Sequence, residues 1–254
     1  MASVDEILSI VAGVLFLALL GLFTIRFVKS HWAPYAYLMF FCLLRVVGYG
    51  LRAYVDTLNQ VDNTNWVPYY IADTVLLSIG VIFILLLLAK LYHSILPKLR
   101  AETGEERGRF ERTLVDRTRL FLLPIVICVV IGASYASPTN SISQQNTGLV
   151  LRKVGVCLLA IFGVVYLISA LTYRKRYPAN QRAFTIALVV TILFDISLVY
   201  KIVYTFDAVA ATKTAAYFIL GPFLELIALG VLSVDLQSHF LGYKYTPETE
   251  LVKP

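Results

Sequence analysis

The sequence predicts an all-α fold, a polytopic membrane protein with a seven-transmembrane helix bundle, its N-terminus outside and its C-terminus cytoplasmic. Three observations predict it. Of 254 residues, 59% are hydrophobic and only 15% charged, with a mean hydropathy of +0.76, a balance that suits lipid better than water. Apolar runs of about 20 residues, long enough to cross hydrocarbon as helices, fill nearly the whole chain. The basic residues gather in alternate connections between those runs, as the positive-inside rule requires of a spanning protein.

Seven runs can be marked, at about 7–28, 34–55, 68–93, 120–137, 150–172, 183–205 and 215–235. With no water in the bilayer core, each must satisfy its own backbone hydrogen bonds, which makes each a helix. The first run follows an acidic start, Asp5-Glu6, and is too long for a cleaved signal peptide, so it stays as span 1. Residues 1–240 form the bundle and 241–254 a cytoplasmic tail.

Orientation follows from Lys and Arg. Arg26 and Lys29 follow span 1. Eight basic residues from Lys90 to Arg119 follow span 3, Arg174, Lys175, Arg176 and Arg182 follow span 5, and Lys244 and Lys253 lie in the tail. These are sixteen of the 22 basic residues, and the side that holds them is the cytoplasm. The connection at about 94–119 mixes Glu102, Glu105, Glu106, Glu111 and Asp116 with its basic residues and reads as a short solvated helix. The outer loop Ser137 to Gly148 has turn chemistry without an apolar pattern and is expected to be mobile.

The positive charge orients the protein and does not point to nucleic acid. Cys42, Cys128 and Cys157 lie within apolar runs and read as packing residues without a structural disulfide. His31, His93 and His239 fall at cytoplasmic helix ends, which is not the several-His cluster of a membrane metal hydrolase. No phosphate loop, nucleophile elbow or cysteine pair at ligand spacing occurs. The sequence therefore points away from an enzyme and implies no metal or cofactor. A receptor reading is weakened because span 3 ends Ala89-Lys90-Leu91-Tyr92 and span 7 carries Gly221-Pro222-Phe223-Leu224-Glu225. A retinal protein is excluded by the lack of a lysine mid-way along span 7.

Ionisable groups inside spans are costly and usually face the bundle interior, so they are the place to look for a site. At about 1.5 Å per residue, Arg45 lies roughly 16 Å from the inner end of span 2, Asp195 roughly 18 Å along span 6, and Glu225 roughly 15 Å from the outer end of span 7. All three are near the midplane. Arg45 is expected to pair with Glu225 or Asp195, leaving the other acid protonated or facing a bound cationic group. A buried clasp that fixes helix register is an equal alternative. Arg45, Gly48, Tyr49 and Arg52 share one helical face. Arg52 lies near the outer boundary with Lys201, Arg152, Lys153 and, about 8 Å below the end of span 3, Asp73, a candidate vestibule for an anionic head group. Snorkelling to the interface is the preferred reading of Lys201, Arg152 and Lys153. The candidate ligand-binding set is Arg45, Tyr49, Arg52, Asp73, Asp195 and Glu225.

The octet Arg45-Val46-Val47-Gly48-Tyr49-Gly50-Leu51-Arg52 resembles the Glu-x-x-Gly-Tyr-x-x-Arg signature of the fungal lipid-translocating-exporter-like, or aminocholesterol-resistance, family of seven-span proteins. Ser197-Leu198-Val199-Tyr200-Lys201 is similar to that family's Ser-Ile-Tyr-Arg stretch, and Tyr217-Phe218, Pro222 and His239 add to the likeness. The chain departs from the pattern with Arg45 in place of Glu, Lys201 in place of Arg, and Tyr204 where a Glu usually follows. The resemblance implies a role in lipid asymmetry or in tolerance of sterols and toxic amphiphiles.

The expected function is to handle or sense a lipid-like or sterol-like amphiphile through a polar intramembrane site. The alternatives are a receptor signalling through its basic cytoplasmic loops and a structural membrane subunit without its own ligand. Membrane lipids and an amphiphilic small molecule are the expected partners, a homo-oligomer or a partner membrane subunit stays open, and the location is the plasma membrane or an endomembrane.

Overall fold

A computed structural model describes residues 4–57, 66–104, 117–137, 139–206, 214–234 and 236–241. The chain forms α1 (Val4–Ser30), α2 (Ala33–Thr57), α3 (Trp66–Thr103), α4 (Thr118–Tyr135), α5 (Ile142–Arg176), a 3₁₀ turn at Pro178–Asn180, and α6 (Gln181–Phe206). The last apolar run is divided into α7 (Thr214–Phe218), a π-helical turn (Ile219–Phe223) and α8 (Leu224–Leu232), and a short α9 (Leu236–Leu241) follows. No strand occurs among the described residues. Helices α1, α2, α3, α5 and α6 are long and apolar enough to cross a membrane, and two further apolar helices, Leu120–Tyr135 and Ala216–Leu232, are shorter. The protein is therefore an all-helical bundle of membrane type.

Each of the first five helices packs on the next in the chain, and α8 returns to α6 and touches α1, which closes the bundle. In its most apolar stretch α3 is 50% buried against 22% for α1, so α3 runs through the centre and α1 along the rim. Ile10, Val14 and Leu17 of α1 are left exposed, a face that hydrocarbon solvates at no cost. At the far end from Val4 the bundle is filled by rings. Tyr92 of α3 stacks 5.9 Å from Tyr166 of α5, and Phe184 of α6 lies 6.2 Å from Tyr92 and 5.8 Å from Tyr173. Arg26 closes the same end by donating from Nη1 to the Val234 carbonyl at 2.8 Å.

Local chemistry sets the helix ends. His31 takes φ 49° and its N–H bonds the Phe27 carbonyl at 2.7 Å, a left-handed cap that turns α1 into α2. Gly104, at φ 68°, ends α3 in the same way, bonding the Arg100 carbonyl at 2.8 Å.

Two expectations are corrected. Residues 94–103 are not a separate solvated helix. They continue α3, because Ile95, Leu96 and Leu99 extend the buried stripe of Leu88, Leu91 and Tyr92, and α9 packs against α3. Residues 105–116 of that expectation lie outside the described residues, as do 242–254 of the proposed tail. The connection between α4 and α5, over residues 139–148, likewise takes local structure from its polar groups. Ser141 and Gln144 form a capping box that starts α5 at Ile142, two turns before the apolar run begins. Asn140 donates from Nδ2 to the Ser134 carbonyl at 2.8 Å, and Gln145 donates from Nε2 to the Asn140 carbonyl at 2.8 Å. Polar residues without apolar periodicity still form helix when a cap supplies the first hydrogen bonds. Gly148 then packs so closely on the backbone of Tyr135 and Ala136 that any side chain there would force α4 and α5 apart.

Candidate functional site

Midway along the bundle Arg45 is 1% exposed, held between α2, α3 and α8. Its Nη2 donates to Oε1 of Glu225 at 2.6 Å, its Nη1 to the Leu77 carbonyl at 2.5 Å, and its guanidinium lies 4.8 Å from the Phe41 ring centroid. Room for it exists because α3 has glycine at position 80, where a Cβ would stand 3.1 Å from the guanidinium carbon. Glu225, also 1% exposed, receives a second cation on the same oxygen. Lys201 Nζ donates to Oε1 at 3.1 Å. Oε2 of Glu225 and Nε of Arg45 are buried without a hydrogen-bond partner.

Lys201 is thus no snorkelling side chain, and that expectation is corrected. Its helical neighbours Phe194, Ser197 and Leu198 are buried, so position 201 lies on the inward stripe of α6 and its ammonium is directed away from lipid. Those neighbours are the sequence signal that should have placed it. Asp195, by contrast, stands apart from the cluster. Its carboxylate is turned toward α5 at Gly163, where a Cβ would collide with Oδ1, and neither oxygen has a hydrogen-bond partner. The expected balance of one base against two acids becomes two bases on one acid.

The π turn explains how Glu225 reaches Arg45. On an unbroken α-helix Tyr217 and Glu225, eight residues apart, would differ by about 80° in direction. Pro222 has no N–H to give, and the turn Ile219–Phe223 absorbs an extra residue, which brings the two to within about 20°. Arg45 and Arg52, seven apart on α2, differ by that same amount, about 20°. The two helices therefore present matched pairs: Glu225 meets Arg45, and Tyr217 meets Arg52, whose guanidinium lies 4.1 Å from the ring centroid.

Above this floor, toward the end that holds Val4, lies a cavity of about 100 Å³, room for several water molecules or a small polar group. Arg52 of α2, Asp73 of α3, Arg152 of α5, Lys201 and Tyr204 of α6 and Tyr217 of α7 line it. Asp73 is 5% exposed. Of the sequence candidates, Arg52 and Asp73 line the cavity, while Arg45 and Glu225 adjoin it through their bonds to the lining residues Leu77 and Lys201. Tyr49 does not line it: its ring is 2% exposed and stacks on Phe16 of α1 at 5.7 Å. Gly48, on the same face, receives the Leu77 side chain. Arg152, placed by the sequence at the outer rim but read there as snorkelling, lines the cavity, and Tyr204 and Tyr217, named in the sequence only through the family resemblance, join it through packing. Among the described residues no group of three or more His, Cys, Asp or Glu side chains is placed to hold a metal ion.

A family model described as a domain of unknown function, DUF7702, matches residues 4–232. The chain belongs to that family. The matched region runs from the start of α1 to the end of α8, so the DUF7702 domain includes every residue of the charged floor and of the cavity above it. No curated protein and no solved structure matches the chain.

Proposed function

We propose that this chain crosses the bilayer seven times, with its N-terminus outside and its C-terminus cytoplasmic, and handles or senses a lipid-like amphiphile through the cavity between α2 and α7. The distribution of basic residues supports the orientation: the cavity lies at the end away from most of them, which makes it outward-facing. The sequence likeness to the lipid-translocating-exporter-like family supports the ligand class.

One observation carries the reading. A cavity lined by Arg52, Asp73, Arg152 and Lys201 lies among the helices on the Val4 side of the buried Arg45–Glu225–Lys201 cluster. A structural subunit gains nothing from a cavity that holds costly charges, since apolar packing of the same volume is as stable or more so. A receptor would need a cleft at the cytoplasmic end between α3, α5 and α6, where Tyr92, Tyr166 and Phe184 fill the interior and the cavity at Leu171, Arg174, Lys175, Pro178 and Gln181 is lined by α5, α6 and the turn between them but not by α3.

Two measurements test the proposal. Labelled-lipid flux into vesicles reconstituted with the purified chain should exceed that of empty vesicles, and equal rates remove the transport version. An impermeant maleimide applied to intact cells should label Asn140→Cys and spare Lys175→Cys. The reverse pattern overturns the orientation.

A further inference from the structure

Among the described residues at the cavity, cations outnumber anions. Arg52, Arg152 and Lys201 line it, and Arg45 lies directly beneath, against the carboxylates of Asp73 and Glu225. Four cations face two anions among the described residues. Glu225 is shared, with both of its cations on Oε1, so it cannot fully satisfy either. Uncompensated positive charge inside a membrane bundle is unfavourable unless an anion enters. Lys201 is the group placed to respond. Its side chain is 25% exposed, it borders the cavity, and its contact to Glu225 is longer than that of Arg45, 3.1 Å against 2.6 Å. Arg52 is already oriented by Tyr217, and a planar guanidinium suits two oxygens of one phosphate or carboxylate. The tyrosines Tyr204 and Tyr217 border the same space and offer hydroxyl donors.

We infer that the cavity receives an anionic head group, a phosphate or a carboxylate, held by Arg52, Arg152 and Lys201, and that Lys201 leaves Glu225 to bind it while Arg45 keeps Glu225 neutralised. The inference rests on the amphiphile-handling reading and names the chemistry of that ligand. It also gives the second cation on Glu225 a use. With Lys201 withdrawn, the Arg45–Glu225 pair remains balanced, so capture of the anion leaves no buried charge without a partner.

The test uses the full chain in nanodiscs of phosphatidylcholine, with binding read by the shift in thermal unfolding and by intrinsic fluorescence. The probes are dioctanoyl phosphatidic acid, dioctanoylglycerol with the same tails and no phosphate, and inorganic phosphate alone. Phosphatidic acid should bind at least about tenfold more tightly than dioctanoylglycerol, the scale of one charge-assisted hydrogen bond. Lys201→Gln should remove most of that preference and Lys201→Arg should restore it. Inorganic phosphate binding as tightly as phosphatidic acid would keep the anion site and assign it to a free anion, ending the amphiphile reading. Equal affinity for phosphatidic acid and dioctanoylglycerol would overturn the inference while leaving the amphiphile reading in place. Binding of none of the three would overturn both.

Discussion

Glu225 holds two cations, and that sharing orders the consequences of removing each member of the cluster. Glu225→Gln leaves Arg45 and Lys201 converging on a neutral amide, with Arg45 1% exposed and unable to reach water. Breaking a buried pair in this way costs about 3–5 kcal/mol, two to nearly four powers of ten in the folding equilibrium. Arg45→Met costs less, about 1–3 kcal/mol, because the apolar side chain fills similar volume and Glu225 keeps Lys201. Lys201→Met should cost under about 1 kcal/mol, since its side chain is 25% exposed at the cavity and the stronger pair stays. Adding Arg45→Met to Glu225→Gln should recover at least about 1 kcal/mol relative to Glu225→Gln alone, because it removes the stranded cation. The assay is unfolding of the purified chain in mixed micelles titrated with sodium dodecyl sulfate, followed by near-UV circular dichroism. A double variant no more stable than Glu225→Gln, or a Lys201→Met variant as unstable as Glu225→Gln, would refute the shared-carboxylate account.

Three further outcomes follow from packing and capping. Gly80→Val puts methyl groups where the guanidinium of Arg45 lies, a Cβ there already being 3.1 Å from its carbon. It should destabilise by about 1–3 kcal/mol, while Gly80→Ala should cost under about half of that in the same titration. Gly163→Ala drives a methyl into the Asp195 carboxylate and should lower the thermal midpoint, and Asp195→Ala in the same chain should suppress the defect. If the two losses simply add, Asp195 does not occupy the space beside Gly163. Ser141→Ala removes the hydroxyl that accepts from the Gln144 N–H at 3.4 Å and should cost about 1 kcal/mol. Hydrogen exchange of the amides at 142–147 should quicken, with those of α6 unaffected, and unchanged exchange would argue against the capping box.

The seven helical runs are properties of local composition, and the sequence determined them by itself. Each run it marks is helical over nearly all of its described residues, the runs at 120–137 and 215–235 ending a few residues early at Tyr135 and Leu232, because backbone hydrogen bonding inside an apolar segment depends on the segment alone. The inward placement of Arg45 and Glu225 was also legible, since a charge deep within an apolar run is too far from either interface to snorkel, whereas Lys201, nearer a helix end, was misread as snorkelling. Where hydropathy stopped being the deciding quantity, the reading failed. The polar start of α5 was invisible to it, though Ser141 and Gln144 carried a capping signal.

Only the tertiary structure decided which charges meet. Arg45, Asp195 and Glu225 share a depth, yet rotation about the helix axes sends Asp195 toward Gly163 and Lys201 toward Glu225. Depth follows from residue number, whereas direction depends on how neighbouring helices pack and on the π turn at Ile219–Phe223 that re-aims Glu225. A helix carries its own hydrogen bonds and hydropathy along its length, but its rotation is set by surfaces that belong to other helices, and the site exists only where those rotations agree.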